Sequence, residues 1–174
     1  MRKNFVLIFL AITTLFLSLN INIVRADELT PSAIIKYDLP YPGILPDNPL
    51  YKLKVLRDKI IASFINDPQK KIDFYLLQTD KGILAAAMLI DKNEIKLAED
   101  TLFKAENNFT LLTYQFNKFA NKPNPEFFSK LEKASLKHQE VIMSLIKRVP
   151  ENEQKDFPEG PCLTALPSQD QASP

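Results

Sequence analysis

The chain has few of the residues on which common binding and catalytic sites depend: three Gly, one His, one Cys and no Trp in 174 residues. So few glycines exclude a glycine-rich phosphate-binding loop, and one cysteine excludes zinc ribbons and any framework of intramolecular disulfides. The net charge is also small, at +1 from 22 basic and 21 acidic residues. Arg2, Lys3 and Arg25 belong to an N-terminal segment, so residues 27–174 carry 19 basic against 21 acidic residues, or −2. Without a basic excess on one face, the composition argues against nucleic-acid binding.

Residues 1–26 have the organisation of a secretory signal peptide. Arg2 and Lys3 precede an apolar run, and Val24-Arg25-Ala26 fits a signal-peptidase site. We expect cleavage after Ala26. The alternative is an uncleaved anchor, because residues 5–24 are long enough to span a bilayer, which needs about 20 apolar residues. Either way the sequence predicts export to an extracytoplasmic, oxidising space, secreted or in the cell envelope, with membrane contact only through this segment.

A proline-rich stretch follows, and it predicts an extended strap over residues 27–48. YDLPYPGILPDNPLY, residues 37–51, holds four prolines, so neither a helix nor a central strand can run through it. Its end predicts a helix start, with Asp47 or Asn48 as the cap and Pro49 in the first turn.

Residues 49–149 carry the periodic apolar pattern of about four helices, with Asp67-Pro68 and Asn124-Pro125 as helix starts. The stripes are Leu53, Leu56, Ile60 and Phe64; Ile72, Leu76, Thr79, Ile83, Ala86 and Ile90; Ala98, Leu102, Ala105, Phe109, Leu112, Phe116 and Phe119; and Phe127, Leu131, Ala134, His138, Val141 and Leu145. In the stripes of the second and third helices, the average spacing of 3.5 residues resembles that of a coiled coil. The pattern therefore predicts an all-α, antiparallel up-and-down bundle.

Two further features complete the predicted architecture. The second helix has an additional apolar stripe, Phe74, Leu77, Leu84 and Met88, so we expect the first helix or the strap to cover it. Residues 150–174 are rich in proline and acid and have no apolar period, which predicts a disordered tail.

The stretch YDLPYPGILPDNPLYKLKVLRDKI, followed by INDPQKKIDFYLLQTDKGILAAA and KASLKHQEVIMSLIKR, resembles the domain of unknown function 5667 family of exported bacterial proteins. The resemblance covers residues 37–150, and its most specific part is the strap that leads into the first helix. It implies a helical exported domain. Because the family has no established activity, the resemblance implies no catalytic residues and no cofactor.

His138, the only histidine, falls in the apolar stripe of the fourth helix. A metal site needs further ligands, so we interpret it as a core histidine bonded to a facing polar side chain, with Asp80 as the expected partner. On this interpretation, His138→Leu changes stability by about 1 kcal/mol. Cys162 lies in the tail without the fixed geometry that a nucleophile requires. Two alternatives remain for it: an intermolecular disulfide, or a free thiol with no role. We therefore predict no enzyme, no cofactor and no metal.

Five aromatic residues are candidates for partner binding. Phe103 and Tyr114 lie opposite the core stripe of the third helix, so either another part of the chain or a partner covers them. Tyr37, Tyr41 and Tyr51 alternate with prolines, as in segments that bind aromatic-lined grooves. The alternative, which we favour, is that the strap packs on the bundle and shields an apolar face.

The sequence therefore predicts a non-catalytic, exported interaction module that binds a protein partner or self-associates. The alternative is a protein that binds a small molecule or a metal in the bundle core.

Overall fold

The computed structural model describes residues 35–118 and 124–158, so the predicted signal segment, the start of the strap, Phe119 and the tail beyond residue 158 lie outside the described residues. The described residues form five helices and no strands: α1 (Tyr51–Phe64), α2 (Pro68–Asp91), α3 (Ile95–Thr113), α4 (Pro125–Ile146) and α5 (Glu151–Gln154). A single 3-10 turn, Phe116–Lys118, follows α3.

The predicted starts of α2 and α4 are confirmed. Asp67 Oδ1 accepts a hydrogen bond from the Lys70 backbone N–H at 2.7 Å, and Pro68 opens α2. Asn124 Oδ1 accepts from the Glu126 backbone N–H at 2.9 Å, ahead of Pro125. Each side chain satisfies an N–H that the first helical turn leaves without an intrahelical acceptor.

The core lies where α2, α3 and α4 meet, as the apolar spacing predicts. Every residue of the predicted α2 stripe is buried, as are the first five of the α3 stripe and all of the α4 stripe except the half-buried Val141. The short turn at residues 92–94, with Asn93 at a φ of 61°, sends α3 back antiparallel to α2.

Three side-chain contacts give the direction of α4. Along α2, Asp73, Asp80 and Asp91 contact Lys130, His138 and Arg148 in that order. Residue numbers increase together on both helices, so α4 runs parallel to α2 and antiparallel to α3. The result is an up-down-up bundle, in agreement with the predicted fold class.

α2 and α3 approach each other closely at Gly82. A Cβ atom at this position would lie 2.7 Å from the Cβ of Ala105. One turn earlier, the Thr79 hydroxyl lies 3.2 Å from the carbonyl oxygen of Ala105 across the interface and 3.0 Å from that of Tyr75 in its own helix, and both oxygens can accept its proton. The absence of a side chain at Gly82 therefore sets the spacing of the two helices.

The orientation of α1 differs from the prediction. The periodic pattern predicts that the apolar stripe of α1 faces the bundle. In the structure Leu53, Leu56, Ile60 and Phe64 are all exposed, and no residue of α1 is fully buried. The helix also starts at Tyr51, two residues after Pro49, and Asn48 accepts from the Leu50 N–H at 2.9 Å in a turn before the helix.

The prediction of disorder over residues 150–174 is wrong for its first part. Residues 151–154 form α5, and Phe157 is 4% exposed, packed in the same core cluster as Val149 and Leu145. A single aromatic residue anchors this segment, and one buried residue by itself produces no periodic pattern in the sequence. Among the described residues, no helix is both long and apolar enough to span a membrane.

Candidate functional site

A buried polar cluster joins the strap to α2 and α4. Asp80 lies between two partners: its Oδ1 is 2.5 Å from His138 Nε2, and its Oδ2 accepts a hydrogen bond from the Tyr37 hydroxyl at 2.7 Å. His138 is fully buried and Asp80 is 4% exposed. The structure thus brings together the two residues that sequence analysis paired, and it adds Tyr37, which sequence analysis placed among the candidates for partner binding.

The electrostatics of the cluster favour a neutral Tyr37. Burial raises the pKa of Tyr37 well above its usual value, and the hydrogen bond to the Asp80 carboxylate raises it further. The ring edges of Tyr37 and Phe109 both meet the imidazole of His138, with centroids 6.3 and 5.8 Å away. Hydrogen bonds and ring contacts among these side chains hold the strap to α2 and α4, and we call the Tyr37–Asp80–His138 cluster the polar staple.

The surroundings of the cluster do not favour a bound ligand. A surface cavity of about 530 Å³ is lined by Tyr37, Asp73 and Lys130, but neither Asp80 nor His138 contributes to its wall. Within residues 35–118 and 124–158, no group of three or more His, Cys, Asp or Glu side chains is placed to hold a metal.

The strap continues from this staple along the bundle. Leu39 packs against the core cluster that contains Ile83 and Leu145, and Leu45 is itself buried. Asp47 then pairs with Lys92 at the end of α2, with 2.6 Å between Oδ2 and Nζ. The described part of the strap thus covers an apolar face, which is the alternative that the sequence favours.

The most unusual surface is the outward side of α1, which we call the α1 outer face. It consists of Leu53, Leu56, Ile60 and Phe64, with exposed fractions of 64%, 55%, 49% and 78%. At 100° per residue these four side chains fall within an arc of about 80°. A soluble domain normally places charged residues on such a face, so four large apolar side chains in one line indicate a site of contact.

Cations border this face on both sides. Lys52 and Lys59 lie on one edge and Arg57 on the other, and all three are exposed. α1 carries four cations against one acid, a net charge of +3, whereas the other described residues carry 14 cations against 16 acids, or −2. The single acid of α1, Asp58, faces inward and pairs with Arg57 at 2.7 Å.

The inner side of α1 faces a groove of about 450 Å³ whose wall is of mixed polarity. The far wall combines polar side chains with aromatic and apolar ones: Gln78, Lys104, Asn107, Asn108, Phe74, Tyr75 and Leu111. From α1, the groove is lined by the exposed Lys59 and by five half-buried residues, Tyr51, Lys54, Val55, Asp58 and Ala62. A wall of mixed polarity matches this mixed face better than a row of leucines, because burying polar groups against apolar ones leaves their hydrogen bonds unmade.

The remaining predicted partner-binding residues are dispersed. Tyr41, Phe103 and Tyr114 are exposed, by 68%, 50% and 61%, whereas Tyr51 lies under the Lys54 ammonium on the inner side of α1. Sequence analysis missed the α1 outer face because an exposed apolar stripe and a core stripe have the same spacing. The cations on both edges of the stripe were the available signal.

The family profile described as Domain of unknown function (DUF5667) matches residues 43–152, more than half of the chain. The chain belongs to the DUF5667 family. The match confirms the resemblance seen in the sequence, and it includes all of α1 and the Asp80–His138 pair. No curated protein and no solved structure is significantly similar to the chain. The DUF5667 family itself supplies no activity, so function is inferred from the surfaces described above.

Proposed function

We propose that this DUF5667 protein is an exported, non-catalytic interaction module, and that the α1 outer face is its docking surface. The observation that carries the proposal is the row of four exposed apolar side chains, Leu53, Leu56, Ile60 and Phe64. No other helix of the described residues presents its main apolar stripe to solvent.

The energetics support docking over solvent exposure. Fully burying a Leu, Ile or Phe side chain contributes about 1.5–3 kcal/mol, so four half-exposed side chains retain several kcal/mol that only contact with another surface can release. α1 is also held by half-buried contacts alone, so docking need not displace any core side chain. Export, predicted from residues 1–26, places this surface outside the cytoplasmic membrane.

The proposal can be tested by cysteine accessibility in cells. Cys162→Ser removes the native thiol, and Ile60→Cys then places a thiol on the α1 outer face. Met143→Cys on α4 is the matched control, because Met143 and Ile60 are 48% and 49% exposed in the chain by itself. A maleimide that does not cross the cytoplasmic membrane labels the full chain, both in intact cells and after purification.

We expect both thiols to react at similar rates in the purified chain. In cells, the thiol at position 60 should react at least tenfold more slowly than the thiol at position 143. Equal labelling of the two positions in cells would show that the α1 outer face is unoccupied and would overturn the docking proposal. Failure to label position 143 in intact cells would overturn the proposal of export.

A further inference from the structure

The charge and the apolar composition of the α1 outer face indicate what it contacts. Three classes of surface could cover it: a second copy of the chain, another protein, or a lipid bilayer. Each makes a different demand on the four apolar side chains and on the cations beside them.

A second copy is disfavoured by charge. Pairing two α1 outer faces would bring two helices of net charge +3 together, with Lys52, Arg57 and Lys59 of each beside those of the other. Like charges in close contact across an interface are destabilising. Asp58 cannot relieve this repulsion, because it faces the bundle and already pairs with Arg57.

A protein partner is disfavoured by area. The four apolar side chains lie along a single face of one helix, whereas a stable protein interface buries about 800 Å² on each partner. The groove of about 450 Å³ lies on the inner side of α1, and of the residues assigned to the outer face and its edges only Lys59 lines this groove.

A bilayer surface imposes neither limit. An amphipathic helix with Leu, Ile and Phe on one face and Lys or Arg beside it lies in the interface with its apolar face inserted. The stems of Lys52 and Lys59 can extend along the inserted side chains while their ammonium groups reach the headgroups. Anionic lipids attract each such cation near the surface.

We infer that the α1 outer face binds the surface of a membrane that contains anionic phospholipids, with Leu53, Leu56, Ile60 and Phe64 inserted and Lys52, Arg57 and Lys59 at the headgroups. This inference rests on the proposed docking function and names the surface that is contacted. It departs from the sequence-based expectation that the N-terminal segment makes the only membrane contact.

The test places a polarity-sensitive fluorophore on Ile60→Cys in the Cys162→Ser background, with the same fluorophore on Met143→Cys as the control. The full chain is reconstituted with vesicles of phosphatidylcholine alone, or with vesicles in which about a third of the lipid is phosphatidylglycerol. Because the N-terminal segment is present in both samples, any anchoring by that segment is the same, and only the local environment of α1 is compared.

We expect a blue shift at position 60, and quenching by lipids spin-labelled near the headgroup, in the anionic vesicles only. About 0.5 M salt should reverse both, because it screens headgroup charges. Replacing Lys52 and Lys59 by Gln should weaken binding roughly 30-fold, from the contribution of each cation near an anionic surface. The fluorophore at position 143 should not respond.

An absent response at position 60, or an equal one in both vesicle types, would overturn the lipid inference. If position 60 is nevertheless protected from maleimide in cells, the docking proposal stands and a protein covers the face. If position 60 is unprotected in cells, the docking proposal is wrong whatever the vesicles show.

Discussion

Gly82→Ala tests the packing of α2 against α3, because two effects of known size oppose each other at this position. The added methyl carbon would lie 2.7 Å from the Ala105 Cβ and 3.4 Å from its Cα. Carbon atoms are in optimal contact at about 3.5–4.0 Å, so the helices must separate by roughly 1 Å. Both methyl carbons are fixed to backbone, and no change of rotamer can relieve the contact.

The magnitude follows from the difference between the two effects. Overpacking of a close interface costs about 1–3 kcal/mol, whereas replacing Gly by Ala within a helix gains about 1 kcal/mol. We therefore expect Gly82→Ala to destabilise the fold by about 1 kcal/mol, although helix propensity alone predicts stabilisation by a similar amount. The sign of the change distinguishes the two cases.

The assay is urea denaturation of the wild type, Gly82→Ala, Ala105→Gly and the double variant. In the double variant, the new methyl group at position 82 occupies the space that Ala105 leaves, so the double variant should be at least 1 kcal/mol more stable than the sum of the single changes predicts. A stabilising Gly82→Ala whose effect simply adds to that of Ala105→Gly would refute the close approach of the two helices.

Three further predictions concern the buried groups. His138→Leu should cost about 3 kcal/mol in urea denaturation, more than the sequence-based value, because it leaves a buried oxygen of Asp80 without its hydrogen-bond partner; a cost below about 1 kcal/mol would contradict a buried hydrogen bond between His138 and Asp80. Phe157→Ala should cost about 3 kcal/mol, whereas the matched change at the half-exposed Phe103 should cost less than about 1 kcal/mol, as read from the denaturation midpoints; equal costs would mean that residue 157 is not docked. The raised pKa of Tyr37, caused first by burial and then by Asp80, stabilises the fold fully below pH 10, and this contribution is lost as the pH rises above 10. Thermal unfolding from pH 9 to 11.5 should therefore show a steeper loss of stability in the wild type than in Tyr37→Phe. The difference in slope is at most about 1.4 kcal/mol per pH unit, and solvent screening at the half-buried Tyr37 reduces it. Identical slopes would contradict the hydrogen bond between Tyr37 and Asp80.

Local rules were sufficient for the helices and their starts. Asp67-Pro68 and Asn124-Pro125 each place an oxygen acceptor before a residue that lacks an N–H, and both begin helices in the structure. Spacings of 3 and 4 residues identified the buried side chains of α2, α3 and α4, because each of these helices turns one face inward and contributes it to two apolar clusters.

The sequence predicts the Asp80–His138 pair but not the third member of the cluster. A lone polar residue within an apolar stripe requires a buried partner, and Asp80 borders the facing stripe of α2. The third member, Tyr37, could not be assigned, because the strap has no periodicity that relates its residues to positions on the bundle. Its aromatic rings were equally compatible with packing on the bundle and with binding to a partner.

The sequence by itself determined the all-α class, the helix starts and the residues of the three-helix core, since each depends on interactions between neighbours along the chain or on apolar periodicity. Only the tertiary structure decided the direction in which α1 faces, the attachment of the strap through Tyr37 and the burial of Phe157. An amphipathic helix has the same pattern whether its apolar side meets a core or solvent. The wall beneath α1, where Gln78, Lys104, Asn107 and Asn108 stand among Phe74, Tyr75 and Leu111, suits the mixed inner side of α1, and α2 and α3 form this wall only once they have packed together.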